Sequence, residues 1–309
     1  RALQIVNDTG FLYNSPRRDH TGPPMTDTAM GDDAESWEIA RRLTGARRRG
    51  QALAVYPGAQ PRSLAAGYAC QDAAIALWQQ PIAGWKVGRI PDAWLARMGE
   101  DRLVGPIFAG AVQSPPMSAR SVDGLPVHAG RFDVIADGFA AVEAEFVFGI
   151  ARDAAPGKTE WTDDEALAMV ASLHVGAELA GSPMPMINEL GPAIVVSDFG
   201  NNAGLILGPA VADWRSALRD DLVCRTFVEE VEVGEGRASG IAGGLVAALR
   251  FALARCAERG MPLRAGQWVS TGAATGIHDV VAGQHARVVF DGVAEIRVTM
   301  GQARPEGEP

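Results

Sequence analysis

The segment Val142–Gly149 (VEAEFVFG) constrains the fold more than any other stretch, because its apolar and acidic residues alternate with a period of two. Successive side chains of a strand point to opposite faces, so Val142, Ala144, Phe146 and Phe148 are expected to enter a core. Glu143 and Glu145 then share the other face, about 6.5–7 Å apart. From there two carboxylates can lean towards one cation; left bare in a dry cleft they repel each other. An ordinary solvated strand face has the same pattern, so the pair needs company. Glu178 is the candidate: in His174–Ala180 (HVGAELA), Val175, Ala177 and Leu179 alternate with His174, Gly176 and Glu178. Three carboxylates with no cysteine and no clear histidine partner form a hard oxygen set, suited to Mg²⁺ or Mn²⁺ rather than zinc or copper.

A chain of 309 residues that is 47% hydrophobic has material for a substantial core, in one large domain or two modest ones. Its net charge of −9 argues against a nucleic-acid backbone or an anionic membrane as partner. A small anionic substrate stays compatible if a metal and one or two cations are placed locally. Cys70, Cys224 and Cys256 are far apart and odd in number, which fits reduced thiols in a cytoplasmic protein, packed as small apolar groups. No apolar run approaches ~20 residues, and no secretory pattern opens the chain.

Residues 1–33 mix Asn, Asp, Gly, Pro, Thr and Arg without a period and read as a disordered leader, with Met25 or Met30 as the natural start. A helix is expected from Asp32, capped by Asp32 and Glu35, with Trp37, Ala40 and Leu43 at helical spacing. Arg41, Arg42, Arg47, Arg48 and Arg49 read as its solvated, dipole-complementing end. A second helix follows from Ser63 to Trp78. Lys86 sits in a short strand-like piece, GWKVG, whose glycines suit close backbone approach to a ligand as well as a surface lysine with a buried stem. Asp101–Gly110 and Pro115–Pro116 read as a long irregular connection. The expected boundaries are therefore an N-terminal helical part over 34–115, a main domain over 116–302 and a flexible tail over 303–309.

Within the main domain, Thr162 and Glu165 form a capping box, and Asp198, Asn201 and Asn202 either line a pocket or cap a turn. Phe227–Val233 reads as a strand, Gly234–Gly236 as a turn, and Ile241–Arg259 as a helix ended by Gly260. Gln267–Ser270 is a strand entering the glycine-rich turn Thr271–Gly276, and the chain closes with a hairpin around Asp291–Gly292. Strands outnumber helices without a βαβα alternation. The glycines at 234, 236 and 240 are wrongly spaced for a dinucleotide fingerprint, Gly157–Lys158–Thr159 lacks the earlier glycine of a phosphate loop, and no nucleophile elbow occurs.

Five motifs in order, GWKVG at Gly84, VEAEFVFG at Val142, GAEL at Gly176, SDFGNNAGLILG at Ser197 and GMPLRAGQWVSTGAATG at Gly260, resemble the fumarylacetoacetate hydrolase superfamily. The likeness runs from about 52 to 300 and is to its 2-keto-4-pentenoate hydratase and 4-oxalocrotonate decarboxylase branch. It implies a strand-rich α+β roll with an N-terminal helical part. It implies a Mg²⁺ or Mn²⁺ site of Glu143, Glu145 and Glu178, with Lys86 beside it supplying charge or a proton. Thr271, Gly272, Thr275 and Asn202 become candidates for holding the substrate, and Asp101 and Asp198 for shuttling protons or positioning water. The implied reaction is hydration of a 2-hydroxy-2,4-dienoate to a 4-hydroxy-2-oxo acid in aromatic catabolism, by a homo-oligomer that can work beside a decarboxylase. Decarboxylation of a 2-oxo diacid, hydrolysis of an acylpyruvate, or a non-catalytic partner subunit are the alternatives. The chain departs from its relatives at Arg89–Ile90–Pro91, where they carry a Ser/Thr pair, at Gly181–Ser182–Pro183, where they carry Asp-Ser-Arg, and at Asp198–Phe199, where they carry Asp-Asn.

Overall fold

The computed structural model describes residues 27–218 and 221–305. Helices α1 (Asp27–Arg48) and α2 (Leu64–Trp78) open it. In chain order the strands are β1 (Ile82–Arg89), β2 (Arg102–Phe108), β3 (Val112–Gln113), β4 (Met117–Arg120), β5 (Pro126–Val134), β6 (Phe139–Ile150), β7 (Val170–Ser182), β8 (Asn202–Ala210), β9 (Val223–Val228), β10 (Val231–Arg237), β11 (Trp268–Ser270), β12 (His278–Asp279), β13 (His285–Phe290) and β14 (Ala294–Gln302).

They form two sheets. One runs β2-β1-β11-β6-β7-β8-β3, with β12 beside β6; the other runs β10-β9-β13-β14-β5-β4. The strands that end the first sheet, β2 and β3, are joined by a single turn of three residues, Ala109–Ala111. That short link makes the sheet curl back on itself, and the resulting roll has an inner and an outer face.

The outer face is the core predicted from the alternation. Val142, Ala144, Phe146 and Phe148 of β6 and Leu173, Val175, Ala177 and Leu179 of β7 are all buried there. They pack against the second sheet, with the Phe146 and Phe290 rings edge-on at 5.5 Å. Phe146→Ala is expected to cost about 3–5 kcal/mol of stability, measured by denaturant unfolding, because a full ring leaves a packed site. Inside the roll, Ile107, Val147, Leu205 and Leu207 form a small apolar plug.

Several expectations change. The leader falls outside the described residues as far as residue 26, and α1 takes up from Asp27, so Asp32 lies within the helix instead of capping it. The stretch read as an irregular connection is strand β2; Gly105 and Pro106 obscured it, and a strand at the end of a sheet path tolerates both. Since β1 and β2 join β6 and β7 in one sheet, that sheet crosses the boundary expected near residue 115. Gly234 and Gly236 are not a turn but part of β10. The turn is Glu229–Glu230, both left-handed with φ of 49° and 63°. Gly236 is required because a Cβ there would fall on the Ala274 carbonyl oxygen, so β10 is the seat of the 271–276 turn. The capping box at Thr162 and Glu165 and the final hairpin form as expected. All three cysteines are buried free thiols. Among the described residues no helix is long and apolar enough to cross a membrane.

Candidate active site

Register converts the pattern of the acids into a site. β6 and β7 pair antiparallel with Glu143 directly opposite Glu178 and Glu145 opposite Gly176. Directly opposed residues share a face, with Cβ atoms about 4.5–5.5 Å apart. All three acids therefore project into the roll, and carboxylate oxygens of the three lie within 4.8 Å of one another. Lys86 reaches the same face by two pairings: it stands opposite Ser270 of β11, which stands opposite Val147 of β6.

The four charged groups are 4% exposed or less. Lys86 Nζ lies 2.9 Å from Glu178 Oε1 and donates to Asn201 Oδ1 at 3.0 Å. The Asn201 amide is itself held, because its Nδ2 donates to Asn188 Oδ1 at 3.2 Å. The N–H of Gly272 donates to Glu145 Oε2 at 2.7 Å. Thr271 pins that turn, its hydroxyl donating to the Phe146 carbonyl at 2.8 Å. Glu145 Oε1 and Glu178 Oε2 accept no hydrogen bond, and Glu178 Oε1 meets the ammonium without hydrogen-bond alignment. Buried oxygens left in this way are costly unless something else satisfies them.

Electrostatics say the same. Burial, only partly offset by Lys86 and reinforced by Glu178, pushes the Glu143 carboxyl up to about 7. Burial, then Glu178 and Glu143, push Glu145 well above the carboxylate range. Burial works to lower the Lys86 ammonium, but Glu178 and Glu143 outweigh it and hold the group above the usual lysine range, hence charged. The bare cluster is short of positive charge.

A cavity of about 350 Å³ opens onto this cluster, lined among others by Lys86, Glu143, Asn201, Thr271, Gly272 and Arg102. It is at the small end of ligand sites. Val195, Leu103 and Ile241 supply apolar wall, and Arg89 and Arg102 also line it, each paired with an acid, Asp92 and Asp101.

Of the residues proposed from sequence, Glu143, Glu145, Glu178, Lys86, Thr271 and Gly272 come together here. Four do not. Asp101 is exposed and pairs with Arg102 at the surface. Asp198 is buried but committed to Arg47 at 2.6 Å and to the Ser182 hydroxyl at 2.6 Å; Arg47 is thus no solvated helix end. Asn202 gives its backbone carbonyl to Arg47 and is not among the cavity-lining residues. The Thr275 hydroxyl is taken up by Thr226 at 2.8 Å and lies against His278. The amide at the ammonium belongs to Asn201, one position earlier. Asn188 and Arg102 were not singled out from sequence; nothing local marks them, since each reaches the cavity only through tertiary folding, whereas Arg89, on the same strand as Lys86, stood out as a departure from the relatives' Ser/Thr pair.

A curled sheet with an acid-lined interior and a second sheet on its outside is the strand-rich α+β roll that the resemblance implies. Among solved structures it is similar to 4-oxalocrotonate decarboxylase from Pseudomonas putida G7. Against that protein complexed with calcium and acetate, the TM-score is 0.68 at 19% identity, covering 86% of this chain and 97% of that chain. Against the same protein complexed with magnesium and adipate, it is 0.69 at 18% identity, with 86% and 97% covered. No family model matches the chain, and no curated protein matches it. At these identities what is shared is the fold, and function has to be argued from the site.

Proposed function

We propose that this protein is a divalent-metal-dependent lyase that hydrates a small 2-hydroxy-2,4-dienoate to a 4-hydroxy-2-oxo acid. The observation that carries the reading is the buried triad of Glu143, Glu145 and Glu178, whose oxygens converge, in part without hydrogen bonds, beside a fixed ammonium. A separation of 4.8 Å or less is about twice a metal–oxygen bond. The donor set is all oxygen, as Mg²⁺ or Mn²⁺ prefers. The three acids would hold the ion, which when bound supplies Lewis-acid stabilisation of the enolate form of a 2-oxo acid.

The chain's own groups do the rest. With the acids ionised, the triad outweighs a divalent cation, so an anionic substrate needs further positive charge. Lys86 supplies it next to the acids. The ammonium, aimed by Asn201, orients the substrate oxygen and delivers or takes back a proton along the conjugated chain. Gly272 steadies Glu145, while Leu103, Val195 and Ile241 limit water around the reacting carbons. We place the enzyme in the cytoplasm as a homo-oligomer.

Decarboxylation of a 2-oxo diacid is a second reading, favoured by the fold likeness to 4-oxalocrotonate decarboxylase and by that protein's complex with adipate, a diacid. One assay separates them. Purified protein with Mg²⁺ is given a 2-hydroxydienoate and a 2-oxo diacid, with ultraviolet absorbance and CO₂ followed together. Hydration is expected to remove the dienol absorbance without releasing CO₂, and EDTA is expected to stop it. CO₂ release would select the second reading, and binding of 2-oxo acids without turnover would identify a non-catalytic subunit.

A further inference from the structure

Phe199, Gly200 and Asn201 have φ of 58°, 61° and 55°, three left-handed residues in a row, two of them not glycine. L-residues avoid this conformation, and it persists where the surroundings over-determine it. Here they do so twice. Gly105 of β2 lets the backbone of Phe199 and Gly200 settle on the sheet, where any Cβ would collide with the Phe199 carbonyl. From the other side comes Arg47, near the end of α1, with its side chain 8% exposed.

Its guanidinium brackets both ends of the turn. Nε donates to Asp198 Oδ1 at 2.6 Å and Nη2 to Asp198 Oδ2 at 2.9 Å. Nη2 also donates to the carbonyls of Gly181 at 2.8 Å and Asp198 at 3.2 Å, and Nη1 to that of Asn202 at 3.1 Å. The same group lies 5.2 Å from the centre of the Phe199 ring. Between the bracketed ends stands Asn201, whose side-chain oxygen accepts a hydrogen bond from the Lys86 ammonium. None of these Arg47 partners is Lys86 or an acid of the triad.

We propose, resting on the role given to Lys86 above, that Arg47 is a positioning residue: by clamping the 198–202 turn it holds the Asn201 amide against the ammonium and so makes α1 part of the active machinery. A planar fork with five N–H donors suits such a bracket, and a lysine does not replace it.

Removing Arg47 alone leaves Asp198 as an unpaired buried charge and endangers folding, so the main variant is the double Arg47→Met/Asp198→Asn, with Arg47→Lys as the second. Two readouts are taken on the full chain. Amide hydrogen exchange on metal-free protein is expected to quicken at least tenfold in peptides covering 198–202 and to stay unchanged in β6 and β7. kcat is expected to fall at least tenfold, with KM and Mn²⁺ affinity within twofold of the parent; Arg47→Lys is expected to fall in between. Unchanged exchange in the turn overturns the proposal, as does faster exchange with undiminished kcat. A loss of kcat that merely tracks loss of Mn²⁺ affinity and of folding also overturns it, marking Arg47 as structural only. Should the double variant not fold, the same two readouts on Arg47→Lys decide. A parent protein without turnover on any of the proposed substrates would sink the proposed function separately, and the exchange readout would then decide the clamp.

Discussion

Glu145→Gln is expected to weaken Mn²⁺ binding by at least on the order of 100-fold, and to remove turnover with it, while leaving the melting temperature of the metal-free protein unchanged or higher. Changes to groups that only support metal ligands cost about 10–100-fold in affinity, and Glu145 is proposed as a ligand itself. Its loss is tolerable to the fold for three reasons. Glutamine has nearly the same shape, and its carbonyl can still accept the Gly272 N–H that now reaches Oε2 at 2.7 Å. The carboxyl is fully buried and is raised well above its ordinary range by burial and by its two acidic neighbours. Removing it therefore relieves repulsion instead of breaking an attraction. Calorimetry with Mn²⁺ reads the first effect and thermal unfolding in EDTA the second; an affinity equal to that of the parent would remove Glu145 from the site.

Lys86→Met separates the metal from the chemistry. Among the described residues the ammonium is the one positive group in contact with Glu178, so its loss in the metal-free protein strands buried carboxylates. Breaking one side of a buried pair costs about 3–5 kcal/mol, and a matching drop in unfolding free energy is expected without metal. With Mn²⁺ bound much of that deficit disappears, since the acids regain a cation. Mn²⁺ should bind at least as tightly as before, because a competing positive charge has gone. Turnover should nevertheless fall by about 10²–10⁴-fold, the usual weight of a positioned proton donor. Activity falling in step with metal affinity would mean that Lys86 only shapes the acid cluster.

How much of this could be read in the chain follows from which features are local. Period-two alternation is a property of neighbouring residues, so the buried face of Val142, Ala144, Phe146 and Phe148 was readable directly. Whether Glu178 joins Glu143 and Glu145 depends on register, but the parity of Val175, Ala177 and Leu179 limits that freedom: with these three in the core, Glu178 has to face inwards. Strand β2 was harder to see, because Gly105 and Pro106 weaken a strand pattern and the reason for the glycine is the backbone of Phe199, far away in sequence. Asp198 in a polar trio reads alike whether it meets a proton or a guanidinium, and its partner lies 151 residues earlier. The slip from Asn202 to Asn201 has a local cause of another kind. The polar trio offered Asn201 and Asn202 alike and the family likeness pointed to Asn202, but the left-handed turn ahead of β8 brings Asn201, the last residue before the strand, to the cavity.

The central claim is that one hard divalent ion belongs among three acids from β6 and β7. Crystals grown with Mn²⁺ and oxalate, measured at the manganese absorption edge, test it most directly. A single anomalous peak within about 2.0–2.6 Å of oxygens from Glu143, Glu145 and Glu178 is the expected result. No peak between these carboxylates at saturating Mn²⁺, or a peak held by other residues while the three acids stay bare, would contradict it.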